Sequence, residues 1–220
     1  MKMLIVAATE MEIMPFRTFL AEQEHQMISK NVDILITGVG MLATAYEVLK
    51  KINSEKYDFA LQAGVCGSFD DSIVLGSLVQ VASDRYGDLG AEDHEDFIDI
   101  FDLGLLEVYS PPFIGKLLVS ESCNFEMIHE LPKVSAITVN TVSGREGTIA
   151  NRKKLYQARV ESMEGVAFQY VCLREGLHFV QIRSVSNYVI PRDKRTWKMG
   201  LAIKNLNEWL CRFVKNTCID

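Results

Sequence analysis

The feature that most constrains this chain is a series of short, unbroken apolar runs at 2–8, 32–37, 59–64, 137–142 and 179–185. A strand with one wet face alternates apolar and polar residues. A strand covered on both faces is apolar throughout, as in a mostly parallel sheet buried between helices. Helical spacing fills several of the intervals. Leu42, Ala45, Tyr46 and Leu49 recur at that spacing over 41–52, and Val166, Phe168, Tyr170, Val171 and Leu173 over 163–174, while 197–214 reads as a long amphipathic closing helix. The pattern predicts an α/β architecture with helices over both faces of the sheet. At 220 residues, 48% of them hydrophobic, the chain is long enough to enclose one core, and 1–220 is expected to form a single domain.

The middle departs from this rhythm. Residues 77–86 read as extended, and 84–106 are polar, acidic and dotted with glycine, the composition of a functional loop. Pro111-Pro112 then fixes a turn ahead of an expected helical run at 113–121. There is no internal repeat and no low-complexity segment.

A net charge of −6 supplies no basic stripe for a phosphate backbone, so nucleic acid is an unsuitable partner and a small molecule a suitable one. Cys66, Cys123, Cys172, Cys211 and Cys218 show neither CxxC pairs nor a neighbouring His cluster. They form no zinc pattern and no disulfide framework, and an odd thiol count fits a cytoplasmic protein. The apolar start is cut off by Thr9, Glu10 and Glu12 well short of a signal-peptide core, and no run approaches the length of a membrane span.

Gly38-Val39-Gly40-Met41-Leu42-Ala43 follows an expected strand and opens an expected helix, as a GxGxxA dinucleotide turn does. Such a site also wants an acid at the end of the next strand, and Asp58 stands at its start instead. The plainer reading is a tight strand-to-helix turn with a ligand edge near it.

Ligands of α/β sheets sit at the carboxyl ends of the strands, and three polar groups of residues fall there: Glu12 after the first, Gly64-Val65-Cys66-Gly67-Ser68 after the third, and Ser186-Asn187 after the last. With Asp84-Arg85-Tyr86-Gly87-Asp88-Leu89-Gly90-Ala91-Glu92-Asp93, Thr141-Val142-Ser143-Gly144, Glu161-Ser162-Met163-Glu164-Gly165 and Ser186-Asn187-Tyr188, these segments carry a resemblance to a known family. The chain is similar, over nearly its whole length, to the nucleoside phosphorylase and methylthioadenosine/S-adenosylhomocysteine nucleosidase superfamily, and within it to the branch that hydrolyses futalosine.

That resemblance implies a three-layer α/β/α nucleoside phosphorylase-like fold with a central mixed, mostly parallel twisted sheet. It also implies cleavage of the N-glycosidic bond of futalosine to hypoxanthine and dehypoxanthine futalosine, in menaquinone biosynthesis. Glu12 then polarises the attacking water. Glu164 takes both ribose hydroxyls, Met163 packs on the sugar, and Arg183 stands near the nucleophile. Gly64, Val65, Cys66, Gly67, Ser143 and Ser186 belong to the substrate site. Asn187 stands where adenine-specific relatives carry aspartate. An amide is no general acid, but it offers a donor and an acceptor together, which suits a 6-oxopurine. Val65 stands where those relatives tend to carry serine. No metal or cofactor is implied, and a homo-oligomer, a dimer or larger, is.

Each residue has a plainer role beside the implied one. Glu12 is also a first-turn helix acid, Met163 a core residue, Glu164 a helix start, Asn187 a turn cap, and Arg183 a neutralising partner for Glu164 or Glu12. The alternative activities are another purine nucleosidase, acting on methylthioadenosine, S-adenosylhomocysteine or aminodeoxyfutalosine, and a purine nucleoside phosphorylase. Phosphorolysis needs a Gly-rich, Arg-bearing cradle, whereas Thr9-Glu10-Met11-Glu12 offers a carboxylate that repels a dianion. Phe69, Phe97, Phe101, Tyr188 and Trp197 are candidate walls for the carboxyphenyl end of futalosine, and Arg85, Arg145, Arg192 and Arg195 are candidate cations.

Overall fold

The computed structural model describes residues 1–22, 30–94, 96–120 and 123–217. In chain order these form β1 (Met3–Ala7), α1 (Glu10–Glu22), β2 (Val32–Ile36), α2 (Met41–Ser54), β3 (Phe59–Ser68), β4 (Leu78–Tyr86), β5 (Gly90–Asp93), β6 (Asp96–Asp99) and β7 (Leu118–Val119). There follow α3 (Glu126–His129), β8 (Lys133–Thr138), α4 (Glu146–Tyr156), β9 (Val160–Ser162), α5 (Gly165–Glu175), β10 (Phe179–Tyr188) and α6 (Met199–Thr217). Cys218, and Glu121 at the end of the expected 113–121 helix, lie outside the described residues.

One mixed, mostly parallel sheet organises the molecule. β2, β1, β3 and β10 run parallel in that order. β10 then pairs antiparallel with β4, β4 parallel with β8, and β8 parallel with β9. β9 returns antiparallel to the last residues of β3, Gly67 opposite Glu161 and Ser68 opposite Val160, so five strands close a ring.

Double-sided burial explains the unbroken apolar runs. Met3, Ile5 and Ala7 of β1 face α1 and α6, among Ile13, Phe16, Trp209 and Phe213. Leu4 and Val6 face the opposite layer, among Val48 of α2 and Phe168, Val171 and Cys172 of α5. A polar residue at any of these five β1 positions would enter an apolar layer without a partner.

α1 carries Pro15 in its interior, where proline removes a ladder donor and disturbs the preceding turn. The break is bridged from 191 residues away: the buried Asn207 of α6 accepts from Phe16 N at 2.9 Å and donates to Glu12 O at 2.8 Å. Both backbone groups at the break thereby find partners.

Several expectations are corrected. α2 is helical as expected, but Leu42, Tyr46 and Leu49 are exposed and Thr44 and Val48 are the buried positions. The fourth apolar run is a strand only to Thr138, the remainder forming a loop over the strand ends. The stretch 113–120 is not helical, because Gly115 and Lys116 adopt positive φ and break any helical course. Part of 84–106 is ordered as the β5–β6 hairpin, Gly90 pairing with Asp99. α4 gave no apolar signal, since its buried residues are only Ile149 and Arg152.

Candidate active site

The carboxyl ends of β1, β3 and β10 converge with the entries to α1, α2 and α5, and two adjacent polar clusters occupy that convergence. Thr9-x-x-Glu12 supplies the acid half of a capping box at the start of α1. The Glu12 Oε2 accepts from Thr9 N at 3.1 Å and Thr9 Oγ1 at 2.9 Å, and its Oε1 accepts from Val65 N at 3.0 Å. The side chain therefore turns back over the sheet and is only 7% exposed.

Gly64 lies directly beneath. A Cβ there would sit 2.6 Å from Arg183 Nη1 and 3.0 Å from Glu12 Oε1, so no larger residue fits without moving the cluster. Arg183 is 1% exposed, and its Nη1 lies 3.5 Å from Glu164 Oε2. Its Nε and Nη2 have no hydrogen-bond partner among the described residues. Glu164 precedes α5, and its other oxygen accepts from Gly40 N at 3.1 Å. Gly40, at φ 94°, takes a conformation few other residues adopt and aims its N–H from the start of α2. The GxGxxA turn thus presents its amide to the chain's own carboxylate. Burial raises the Glu164 carboxyl above its ordinary range, against the opposing pull of Arg183.

The second cluster begins one turn of chain away. The register of β10 against β3 shifts between Val185 and Asn187, a bulge that re-aims Ser186 and Asn187. Ser186 Oγ lies 3.1 Å from Cys66 O and 2.9 Å from Asn187 Oδ1, and Asn187 Nδ2 donates to Tyr188 O at 3.0 Å. Each of these contacts leaves the amide spare capacity, one N–H and one lone pair. Opposite stands Glu161, which accepts from Ser143 N at 2.9 Å and Ser143 Oγ at 2.7 Å. Arg152 donates to Ser143 Oγ and Thr141 O, both at 2.8 Å, and lies 3.5 Å from Glu161 Oε2. Burial raises the Glu161 carboxyl, the Ser143 bonds and Arg152 opposing it. Gly67, Ser143, Glu161, Asn187, Arg192 and Trp197 line a small cavity of about 60 Å³.

Glu12, Gly64, Val65, Arg183 and Glu164 therefore meet in one cluster, and Gly67, Ser143 and Asn187 in the next, with Ser186 between them. Met163 is half-buried beside Glu164. Cys66 contributes its carbonyl, while its thiol turns into the core with Val79 and Val185, where burial pushes it up to about 12. Arg85 pairs with Asp99 at 2.8 Å, Arg195 pairs with Asp193, and Phe69 and Phe101 pack in the core. Arg192, stacked over Trp197 at 5.2 Å, borders the cavity. Two larger apolar grooves, about 740 and 950 Å³, run along α1 and α6 away from these groups. Sequence reasoning passed over Glu161, Arg152 and Thr9. The Thr-x-x-Glu capping box was the available signal for Thr9, and nothing local announces Arg152.

Chemically, the first cluster presents two carboxylates around one guanidinium, a net negative pocket that favours developing positive charge and disfavours a bound anion. The second presents an amide and an anchored carboxylate around a slot. Among the described residues no group of three or more His, Cys, Asp or Glu side chains is placed to hold a metal ion. No helix among them is long and apolar enough to cross a membrane.

No family model matches the chain. It is 28% identical to the futalosine hydrolase of Streptomyces coelicolor over 80% of this chain and 75% of that one. It is 28% identical to the futalosine hydrolase of Acidothermus cellulolyticus over 90% and 84%. Its fold matches the crystal structure of a 5′-methylthioadenosine/S-adenosylhomocysteine nucleosidase from Colwellia psychrerythraea in complex with adenine, with a TM-score of 0.78 at 21% identity, covering 98% of this chain and 95% of that one.

Proposed function

We infer that this chain, a member of the nucleoside phosphorylase and methylthioadenosine/S-adenosylhomocysteine nucleosidase superfamily, is a futalosine hydrolase. It uses water to cleave the N-glycosidic bond, releasing hypoxanthine and leaving dehypoxanthine futalosine. The observation that carries the hydrolytic reading is the inward, buried Glu12 carboxylate, held by Val65 N and Thr9 beside Arg183 and Glu164. A phosphate dianion docked there would meet that carboxylate at short range, at a cost of several kcal/mol, about the size expected at an intermediate dielectric. Water accepts the same surroundings and can lose its proton to Glu12 as it attacks C1′.

In this reading Glu164 accepts both ribose hydroxyls, Met163 covers the sugar, and the net negative cluster stabilises the ribosyl cation. The free donor and acceptor of Asn187 meet N7 and O6 of the base. The neighbouring Glu161, which can only accept while ionised, suits the N1–H of hypoxanthine and not the bare N1 of adenine. Residues 1–220 act as one domain, in the cytoplasm, on a nucleoside of menaquinone biosynthesis. Assembly with further copies is supported by the outward stripe of Leu42, Tyr46 and Leu49, Leu42 being 86% exposed.

The test supplies futalosine, inosine and methylthioadenosine with and without phosphate and follows the released base. Hypoxanthine from futalosine without phosphate is the expected result. Cleavage that requires phosphate would make the enzyme a phosphorylase, and release of adenine alone would place it among the adenine nucleosidases.

A further inference from the structure

Beneath the ribose-facing cluster lies an acid that the reaction does not touch. Asp84 of β4 is fully buried and makes four contacts with donors: Thr138 Oγ1 at 3.0 Å, Arg85 N at 2.8 Å, Gln181 Nε2 at 3.2 Å, and Thr138 Oγ1 again on its second oxygen at 3.1 Å. These are three groups in all, because the Thr138 hydroxyl spans both oxygens. That hydroxyl also accepts from Val166 N, in the first turn of α5, at 2.8 Å. A hydroxyl has one proton. With it donated to Asp84, the hydroxyl oxygen turns a lone pair to the helix, where Val166 N donates to it.

The packing allows little slack. A Cβ on Gly165 would lie 2.1 Å from Asp84 Oδ2 and 2.5 Å from Gln181 Nε2, so the chain between Glu164 and Val166 presses directly on the acid. Glu164 is the residue immediately before this turn, and its carboxylate is pinned at its far end by Gly40 N. We propose that Asp84 is a positioning residue: through the Thr138 hydroxyl and the Val166 amide it fixes the first turn of α5, and so the Glu164 carboxylate that grips the ribose hydroxyls.

This rests on the nucleoside reading above for the role of Glu164, though not on the identity of the base. The charged groups facing Asp84 are Arg183 of β10, which favours its anion, and Glu164, which opposes it; Thr138 of β8 and Gln181 of β10 are neutral. Burial outweighs Arg183 and pushes the Asp84 carboxyl up to about 7. A protonated Asp84 no longer needs the Thr138 proton, so the relay is sensitive to pH in that region.

The experiment uses whichever ribonucleoside the wild-type protein cleaves fastest among futalosine, inosine and methylthioadenosine, together with its 2′-deoxy analogue. Asp84→Asn and Thr138→Val are expected to lower the ribo-over-deoxy preference at least tenfold, mainly through KM, and Thr138→Ser, which keeps the hydroxyl, to restore it. The wild-type preference should weaken as pH falls through about 7, and Asp84→Asn should lose that limb, keeping only what the protonation of Glu164 itself contributes. Equal losses on both sugars, a Thr138→Val enzyme that retains the preference, or an Asp84→Asn enzyme that keeps the pH limb would each overturn the proposal. Should Asp84→Asn fail to fold, the Thr138 pair decides alone. A wild-type protein that cleaves a methylthioadenosine but not futalosine refutes the base assignment and leaves this test intact; one that cleaves none overturns both.

Discussion

Glu12 unites the two roles that its sequence left open. It supplies the acid half of the capping box of α1 and it presents a carboxylate at the exit of β1. Glutamine can keep the bond from Thr9 N, but its amide NH2 cannot accept from Val65 N, so Glu12→Gln should lower the melting temperature modestly while removing the base. Steady-state kinetics on futalosine should then show kcat reduced by about 10³, the scale of general-base catalysis, with KM little altered. Asn187→Asp tests the other cluster. An aspartate there can carry a proton to N7, so adenine nucleosides should gain kcat/KM relative to inosine by roughly tenfold or more, read from released adenine and hypoxanthine. Glu12 and Asn187 were legible because each follows a continuous apolar run, and Glu164 because it lies in a segment that carries the family resemblance. Asp84, Thr138 and Arg152 were not, since their partners are distant in sequence and their neighbours carry no periodicity.

At the scale of elements, strands were read more accurately than the faces of helices. β1 announces double-sided burial in every residue, whereas α2 shows an apolar stripe that points outward, and periodicity alone does not tell a core from another surface. The β10 bulge was likewise hidden, because a register shift depends on the partner strand. α1 gives the sharpest test of element coupling. Asn207→Ala would leave Phe16 N and Glu12 O unpaired in a buried place, at a cost of about 2–4 kcal/mol, readable as a lower denaturation midpoint. The same substitution frees the turn that bears Glu12, so kcat should fall along with stability.

For the whole molecule, the acids that burial raises set the response to pH. Asp84 moves from 3.8 to about 7, and Glu161 and Glu164 are also raised. A raised acid is protonated more readily in the folded chain than in the unfolded one, so its contribution is present below the ordinary carboxylate range and is lost as pH climbs through the folded value. Thermal melts should therefore show stability declining from pH ~4 to ~7, by a few kcal/mol on the scale of about 1.4 kcal/mol per pH unit, and Asp84→Asn should flatten that decline. The architecture was legible as α/β with two helical layers; closure of five strands into a ring was not, since it depends on β9 touching β3 and β8 at once. The amide that Asn207 inserts into α1 carries a consequence for the order of events at the ribosome. The turn holding Glu12 is synthesised before α6, yet its ladder is completed only once Asn207, 191 residues beyond Phe16, has emerged. The proposed water-activating turn is thus set only when α6 has docked, a pairing of high sequence separation and therefore a late step of folding.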